Sequence, residues 1–188
     1  LVHTRRLLRQ TISGGNPMNV YRADWTFLNT GDAVTSPEIL GQISEKTLVD
    51  RLDVGDLTSE SEHDYRFHSV DGQYQGLLVT ESSAPGVAEV TDGGRVISRD
   101  ETFRVRGLST GRDLSVVLRS RSGFRVRISV NGTPLGEWLD DGRPGPNWTE
   151  SLYTIPASTI SGGEARIAVT TAEVHATAYT AFHYWFYQ

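Results

Sequence analysis

Cysteine is missing from this 188-residue chain. Disulfides, thiolate metal sites and a cysteine nucleophile are therefore excluded. Lysine is nearly missing as well: Lys46 stands alone, and arginine carries the rest of the positive charge. That excludes a lysine-rich phosphate-binding surface and leaves bidentate arginine contacts open. No apolar run approaches the roughly 20 residues that cross a bilayer, so no membrane role is expected. An excess of positive charge is lacking too. The formal net charge is −5, which argues against nucleic acid as a partner, because non-specific binding needs a basic field. No signal peptide, internal repeat or low-complexity tract is visible. The chain begins at Leu1, which suggests a processed protein or a module cut from a longer one.

What is present is alternation. Between Glu101 and Leu139, Phe103 and Val105 alternate with Arg104 and Arg106. Leu114, Val116 and Leu118 alternate with Ser115, Val117 and Arg119, and Phe124, Val126, Ile128 and Val130 with Arg125, Arg127 and Ser129. A period of two puts one set on a buried face and the other on a wet face, the signature of an amphipathic strand. Asn131-Gly132 marks a two-residue hairpin turn, and Asp92-Gly93-Gly94 reads as a second hairpin signal. Leu1–Ile12 leans to strand, Asn19–Leu28 is an aromatic-rich strand, and Glu164–Thr171 and His175–Tyr187 supply the last two. Pro37–Arg51 is the one helix candidate: Ser36 suits the cap, Pro37 the first turn, and Ile39, Leu40 and Ile43 follow helical spacing. Its rival is a pair of short strands. About eleven strands with no crossover helices predict an all-β fold, an antiparallel β-sandwich or jelly roll with at most one short helix. Residues 1–188 are expected to form a single domain, with 1–16 as an N-terminal strand or extension.

From residue 100 onward the strand order has a further likeness. A strand at 113–119 is followed by Phe124–Val130, the Asn131-Gly132 turn and a strand of small residues with Trp138, Leu135–Leu139. A loop then leads to Trp148 and to Tyr153-Thr154-Ile155-Pro156-Ala157, before a last strand with Tyr184-Trp185. This resembles the galactose-binding-like jelly-roll β-sandwich, the scaffold of many carbohydrate-binding modules attached to extracellular glycoside-processing enzymes. The resemblance implies binding through edge loops or a concave face, often with a structural calcium.

Four groups of residues are candidates for chemistry. Asp53, Asp56, Glu60 and Glu62, with His63 and Asp64 beside them, form an acidic loop. Clustered carboxylates suit an oxygen cage for calcium, which takes six to eight oxygens; the rival reading is a solvated charge run. The histidines show no HExxH spacing, so His183, in strand phase with Trp185 and Tyr187, reads as a partly buried structural residue. Trp138, Trp148 and Tyr153 flank a loop holding Asp140, Asp141 and Arg143. A ring that stacks on a sugar's C–H face, with nearby polar groups to orient its hydroxyls, makes a carbohydrate site; the alternative is that the tryptophans plug the core. The arginines of the meander, Arg119 among them, are expected on the wet face of the sheet, where they solvate it or meet an acidic glycan. No Ser/His/Asp elbow or phosphate loop occurs, so no catalytic residues are assigned.

The expected function is a non-catalytic module that binds carbohydrate or supports an extracytoplasmic carbohydrate-active protein. The rivals are a structural or interaction domain that meets a neighbouring domain or subunit through Trp185 and Tyr187, and a small hydrolase using acidic residues.

Overall fold

The computed structural model describes residues 33–68, 92–121, 123–140, 148–172 and 178–188, and the strand backbone of 6–10, 20–24, 76–81 and 90–91. In chain order the elements are β1 (Arg6–Gln10), β2 (Val20–Asp24), α1 (Pro37–Ile43), β3 (Leu48–Asp53), α2 (Leu57–Glu62), β4 (Arg66–His68) and β5 (Gly76–Glu81). Then come β6 (Val90–Ile97), β7 (Asp100–Arg106), β8 (Leu114–Ser120), β9 (Phe124–Val130) and β10 (Thr133–Asp140). The chain ends with β11 (Thr149–Ile155), a 3-10 turn at Ala157–Thr159, β12 (Glu164–Thr171) and β13 (Tyr179–Tyr187).

These strands make the predicted antiparallel sandwich. One sheet runs β10-β9-β12-β7-β4 and the other β11-β8-β13-β6-β5, with β3 added to β13. β1 and β2 form a separate ribbon. The inward faces supply the core: Phe103, Val105, Val126, Ile128, Ile167 and Val169 from one sheet meet Leu114, Val116, Leu118, Tyr184 and Phe186 from the other. The Phe103 ring lies 4.7 Å from that of Tyr184 and 5.9 Å from that of Phe186. Each such buried ring contributes about 1.5–3 kcal/mol over its exposed state. Asn131 and Gly132 hold φ of 51° and 82°, the left-handed pair that a tight hairpin needs, and β9 and β10 pair across them.

Four expectations are corrected. The helix is half the length read from sequence: α1 stops at Ile43, and the chain pairs instead as β3 along β13. Tertiary pairing that buries Leu52 overrides helical spacing here. The acidic stretch after Asp53 is no loop but contains α2, capped by Asp56, whose carboxylate accepts from the Ser59 amide at 2.8 Å. Asp92-Gly93-Gly94 makes no turn and lies inside continuous β6. The physical reason is a close approach: a Cβ on Gly94 would lie 2.7 Å from Phe182 Cδ1 and closer still to the Ala181 carbonyl. Finally, Arg119 is fully buried rather than wet, because α1 and Val34 cover that face of β8 and β13 with Ile39 and Ile43 packed around Val117 and Trp185. Trp25–Leu28 and residues 175–177, read as parts of strands, lie outside the described residues.

Candidate functional site

The least ordinary place in the sandwich is the edge of β13 that changes partners. Residues 179–181 pair with β6 and residues 183–187 with β3. On its other edge β13 shifts register between Ala181 and His183. Such an irregularity re-aims the side chains next to it. His183 sits there, opposite Asp53 in the register, and stacks on Trp185 with ring centroids 4.3 Å apart and planes at 16°. Its Nδ1 stands 3.8 Å from Asp53 Oδ1 and 3.9 Å from Asp92 Oδ2. Both distances exceed a hydrogen bond, and neither ring nitrogen has a hydrogen-bond partner among the described residues. Burial first, then the positive charges of Arg119 and Arg51, hold its pKa well below the usual histidine range, so the ring is neutral. Asp53, Asp92 and His183 each bring a donor atom within 4.8 Å of the others.

Arg119 braces one wall of this cluster. Its Nη1 donates to Asp92 Oδ2 at 2.8 Å, its Nε and Nη2 to Glu150 Oε1 at 3.1 and 2.7 Å, and its Nη2 also to the Ala33 carbonyl at 2.8 Å. The guanidinium lies between two indoles, 4.7 Å from the Trp148 ring centroid and 4.8 Å from that of Trp185. Glu150 Oε2 in turn accepts from the amides of Thr35 and Ser36 at 2.8 and 2.7 Å, which ties down the start of α1.

The residues expected to cage calcium do not gather. Asp53 belongs to the histidine cluster and Asp56 caps α2. Glu60 is buried in an ion pair with Arg95, whose Nη2 donates to Glu60 Oε2 at 2.7 Å. Glu62 is exposed at the end of α2. The residues expected to bind a sugar also part company. Trp138 is in the core, edge-on to Phe124, with its Nε1–H donating to Ser151 Oγ at 2.8 Å. Tyr153 joins it, ring centroids 5.5 Å apart, and is partly exposed. Trp148 is buried elsewhere, against Arg119 and Phe182. Asp140 is half-buried and accepts from Thr149 Oγ1. Asp141 and Arg143 lie outside the described residues. Trp185, expected to meet another domain or subunit, is covered by α1 of its own chain, with Tyr187 partly buried beside it.

Two further features bear on function, the first missed in the sequence and the second anticipated there by the wet-face arginines. Glu101 is fully buried and accepts from three tyrosines: Tyr65 Oη at 2.6 Å, Tyr179 Oη and Tyr184 Oη. Burial raises its pKa above the ordinary carboxylate value, against the opposing pull of the three hydroxyls. Strand parity was the available signal, since Glu101 shares a face with Phe103 and Val105. The second feature is the outer face of the β10-β9-β12-β7-β4 sheet. Register places Ser129, Ala168 and Thr102 side by side across three strands. One flanking row is Glu137, Arg127, Thr170, Asp100 and His68; on the other side Arg166 lies beside Arg104. Arg104 reaches Asp64 and Glu164 at 3.2 and 3.5 Å, and Arg125 reaches Glu137 at 2.7 Å. Arg127 and Arg166 are exposed.

No family matches this chain by sequence, and no curated protein does. Among solved structures it is similar to a family 35 carbohydrate-binding module from Clostridium thermocellum, with 12% identity and a TM-score of 0.37 over 65% of this chain and 96% of that one. It is similar to a family 35 module from an environmental isolate at 11% identity and a TM-score of 0.44, covering 73% of this chain and 91% of that one. A third is the C-terminal family 6 module of a marine laminarinase from Zobellia galactanivorans, at 15% identity and a TM-score of 0.37 over 61% and 91% of the two chains.

Proposed function

We propose that this chain is a non-catalytic β-sandwich module that binds carbohydrate, working within or beside an extracytoplasmic carbohydrate-active protein. The observation that carries the reading is the outer face of the five-stranded sheet. Ser129, Ala168 and Thr102 form a floor of small side chains, and a flat floor lets an extended ligand lie close to the backbone. Arg127, Arg166 and Thr170 edge it with hydrogen-bond donors that suit hydroxyls and carboxylates. The exposed ion pairs that Arg104 makes with Asp64 and Glu164, and Arg125 with Glu137, are worth only about 0–1 kcal/mol each, so those two arginines can exchange protein partners for those of a ligand. Along β10 the face continues to Leu139, which is 56% exposed, whereas Asp140, in register with buried Phe124, alternates to the inner side and accepts from Thr149 of β11. β10 leads to the stretch holding Asp141 and Arg143, with Tyr153 on β11, the edge strand of the opposite sheet, its partly exposed ring packed on Trp138. The aromatic ring offered at this rim is that of Tyr153. The buried carboxylates support the non-catalytic part of the reading: Glu60, Asp92 and Glu150 are held by arginines and Glu101 by tyrosine hydroxyls.

A glycan array probed with the full chain, followed by calorimetric titration of the best ligand, tests this. An Arg127→Ala/Arg166→Ala double variant should weaken binding by about tenfold or more, or roughly 1.4 kcal/mol, with an unchanged melting temperature. Failure to bind any glycan on the array sinks the proposal.

A further inference from the structure

The cluster at the β13 partner change bears on a different activity from the sheet face, and it is independent of the carbohydrate reading. His183 is fully buried, yet its imidazole makes no hydrogen bond among the described residues. Leaving a buried polar group unsatisfied is destabilising, so its persistence between two carboxylates asks for a reason. Direct bonding is not that reason, because Nδ1 stands 3.8 and 3.9 Å from the nearest oxygens of Asp53 and Asp92. Those separations suit donors around one shared ion. Zinc-class ions bind imidazole nitrogen and carboxylate oxygen at about 2.1 Å, so two donors of one ion stand at most about twice that distance apart.

The geometry points to a divalent metal site formed by Asp53 of β3, Asp92 of β6 and His183 of β13, selective for borderline ions of the zinc class. The three donors come from the three strands that meet at the partner change, so the fold itself assembles the set. One nitrogen and two carboxylates are a zinc-type complement with a fourth position left for water. Calcium asks for six to eight oxygens, which these residues do not supply. Arg119 fixes the orientation of Asp92 by bonding its Oδ2 at 2.8 Å, as the outer partners of ligating carboxylates do. Asp92 and His183 are closed off, but the Asp53 side chain is 25% exposed and gives an ion a way in. Bound there, the ion would pin β3 and β6 to the same edge of β13.

The test is calorimetric titration of the chelator-treated full chain with zinc chloride and, separately, calcium chloride, with histidine ring nitrogens followed by long-range 1H–15N NMR. The expected result is one zinc ion per chain, a change in the His183 ring signals and no calcium heat. Asp53→Asn and His183→Asn should each weaken zinc binding by about tenfold or more, whereas Glu62→Gln should not. Asp53 is partly exposed, so its variant keeps the test decisive if His183→Asn fails to fold. Absence of zinc binding, zinc binding unaffected by Asp53→Asn, or binding of calcium in preference to zinc overturns the assignment.

Discussion

Arg119 Nη1 donates to Asp92 Oδ2 at 2.8 Å, and neither side chain reaches solvent. Arg119 lies on a strand of the six-stranded sheet whose outward face a short helix covers, so its charge is met entirely by the protein. Breaking a buried pair by removing one partner leaves the other charge uncompensated, at a cost of about 3–5 kcal/mol. Arg119→Met should therefore lower the melting temperature by about 10 °C or more. Arg119→Lys should not restore it, because one ammonium cannot reach Asp92, Glu150 and the Ala33 carbonyl together. Thermal melts followed by circular dichroism decide this. A near-normal Arg119→Lys would show that charge alone, without the forked geometry, holds the covered face.

Glu101 predicts a pH dependence whose sign differs from that of ordinary acid unfolding. Burial raises its pKa in the folded chain. The folded state therefore holds the proton more tightly than the unfolded state does. The stability from this group is fully present below the unfolded carboxyl value and is lost as pH rises through the raised folded value. In Glu101→Gln the side chain stays neutral and this slope disappears. The difference in stability between parent and Glu101→Gln should shift against the parent as pH rises above the ordinary carboxyl range. Denaturant unfolding of both proteins across the acidic range measures it, and a difference independent of pH refutes it.

Gly94→Ala should be among the most damaging single changes in the chain. The added methyl would collide with the Ala181 carbonyl oxygen and stand 2.7 Å from Phe182 Cδ1. The carbonyl belongs to paired backbone and cannot rotate away. Overpacking of this kind costs about 1–3 kcal/mol, and here it also opens the junction that holds Asp92. Gly41→Ala is the control, since nothing lies within 4 Å of its would-be Cβ. It should be neutral or slightly stabilising, as alanine favours a helix over glycine by about 1 kcal/mol. Equal melting temperatures for the two variants would disprove the argument.

The strands were legible because one property, the alternation of apolar and polar side chains, specifies them locally. Phe103/Val105 and Phe124–Val130 obey it and form the core. It misled where a face that looks polar is covered by a distant part of the chain. Ser115, Val117 and Arg119 read as wet, but α1 arrives from far upstream to cover that face. The same covering took Trp185 out of solvent, and packing against Arg119 and Phe182 did so for Trp148. The Asp53–Asp92–His183 grouping could not be read from spacing, because its members are far apart in sequence and meet only where β3 and β6 share an edge of β13. Parity alone could have placed Glu101 inside, and its tyrosine partners then follow from the need to satisfy a buried carboxylate.

Trp148 and Tyr153 separate the structural role of an aromatic residue from the binding role. The Trp148 ring is packed 6.2 Å from Phe182 and 4.7 Å from the Arg119 guanidinium, so it has no free face to offer a sugar. Trp148→Ala should cost about 3–5 kcal/mol of stability, part of it the cation–π contact, which is worth about 2 kcal/mol when desolvated. Once the variant is folded at low temperature, its glycan affinity should match the parent's. Tyr153→Ala should do the reverse, since that ring is partly exposed at the rim beside Trp138: a smaller change in melting temperature with weaker binding. Melting and calorimetric titration of both variants against the same glycan give the comparison. Loss of affinity in Trp148→Ala with unaltered stability would return that residue to the binding surface and move the site away from the sheet face.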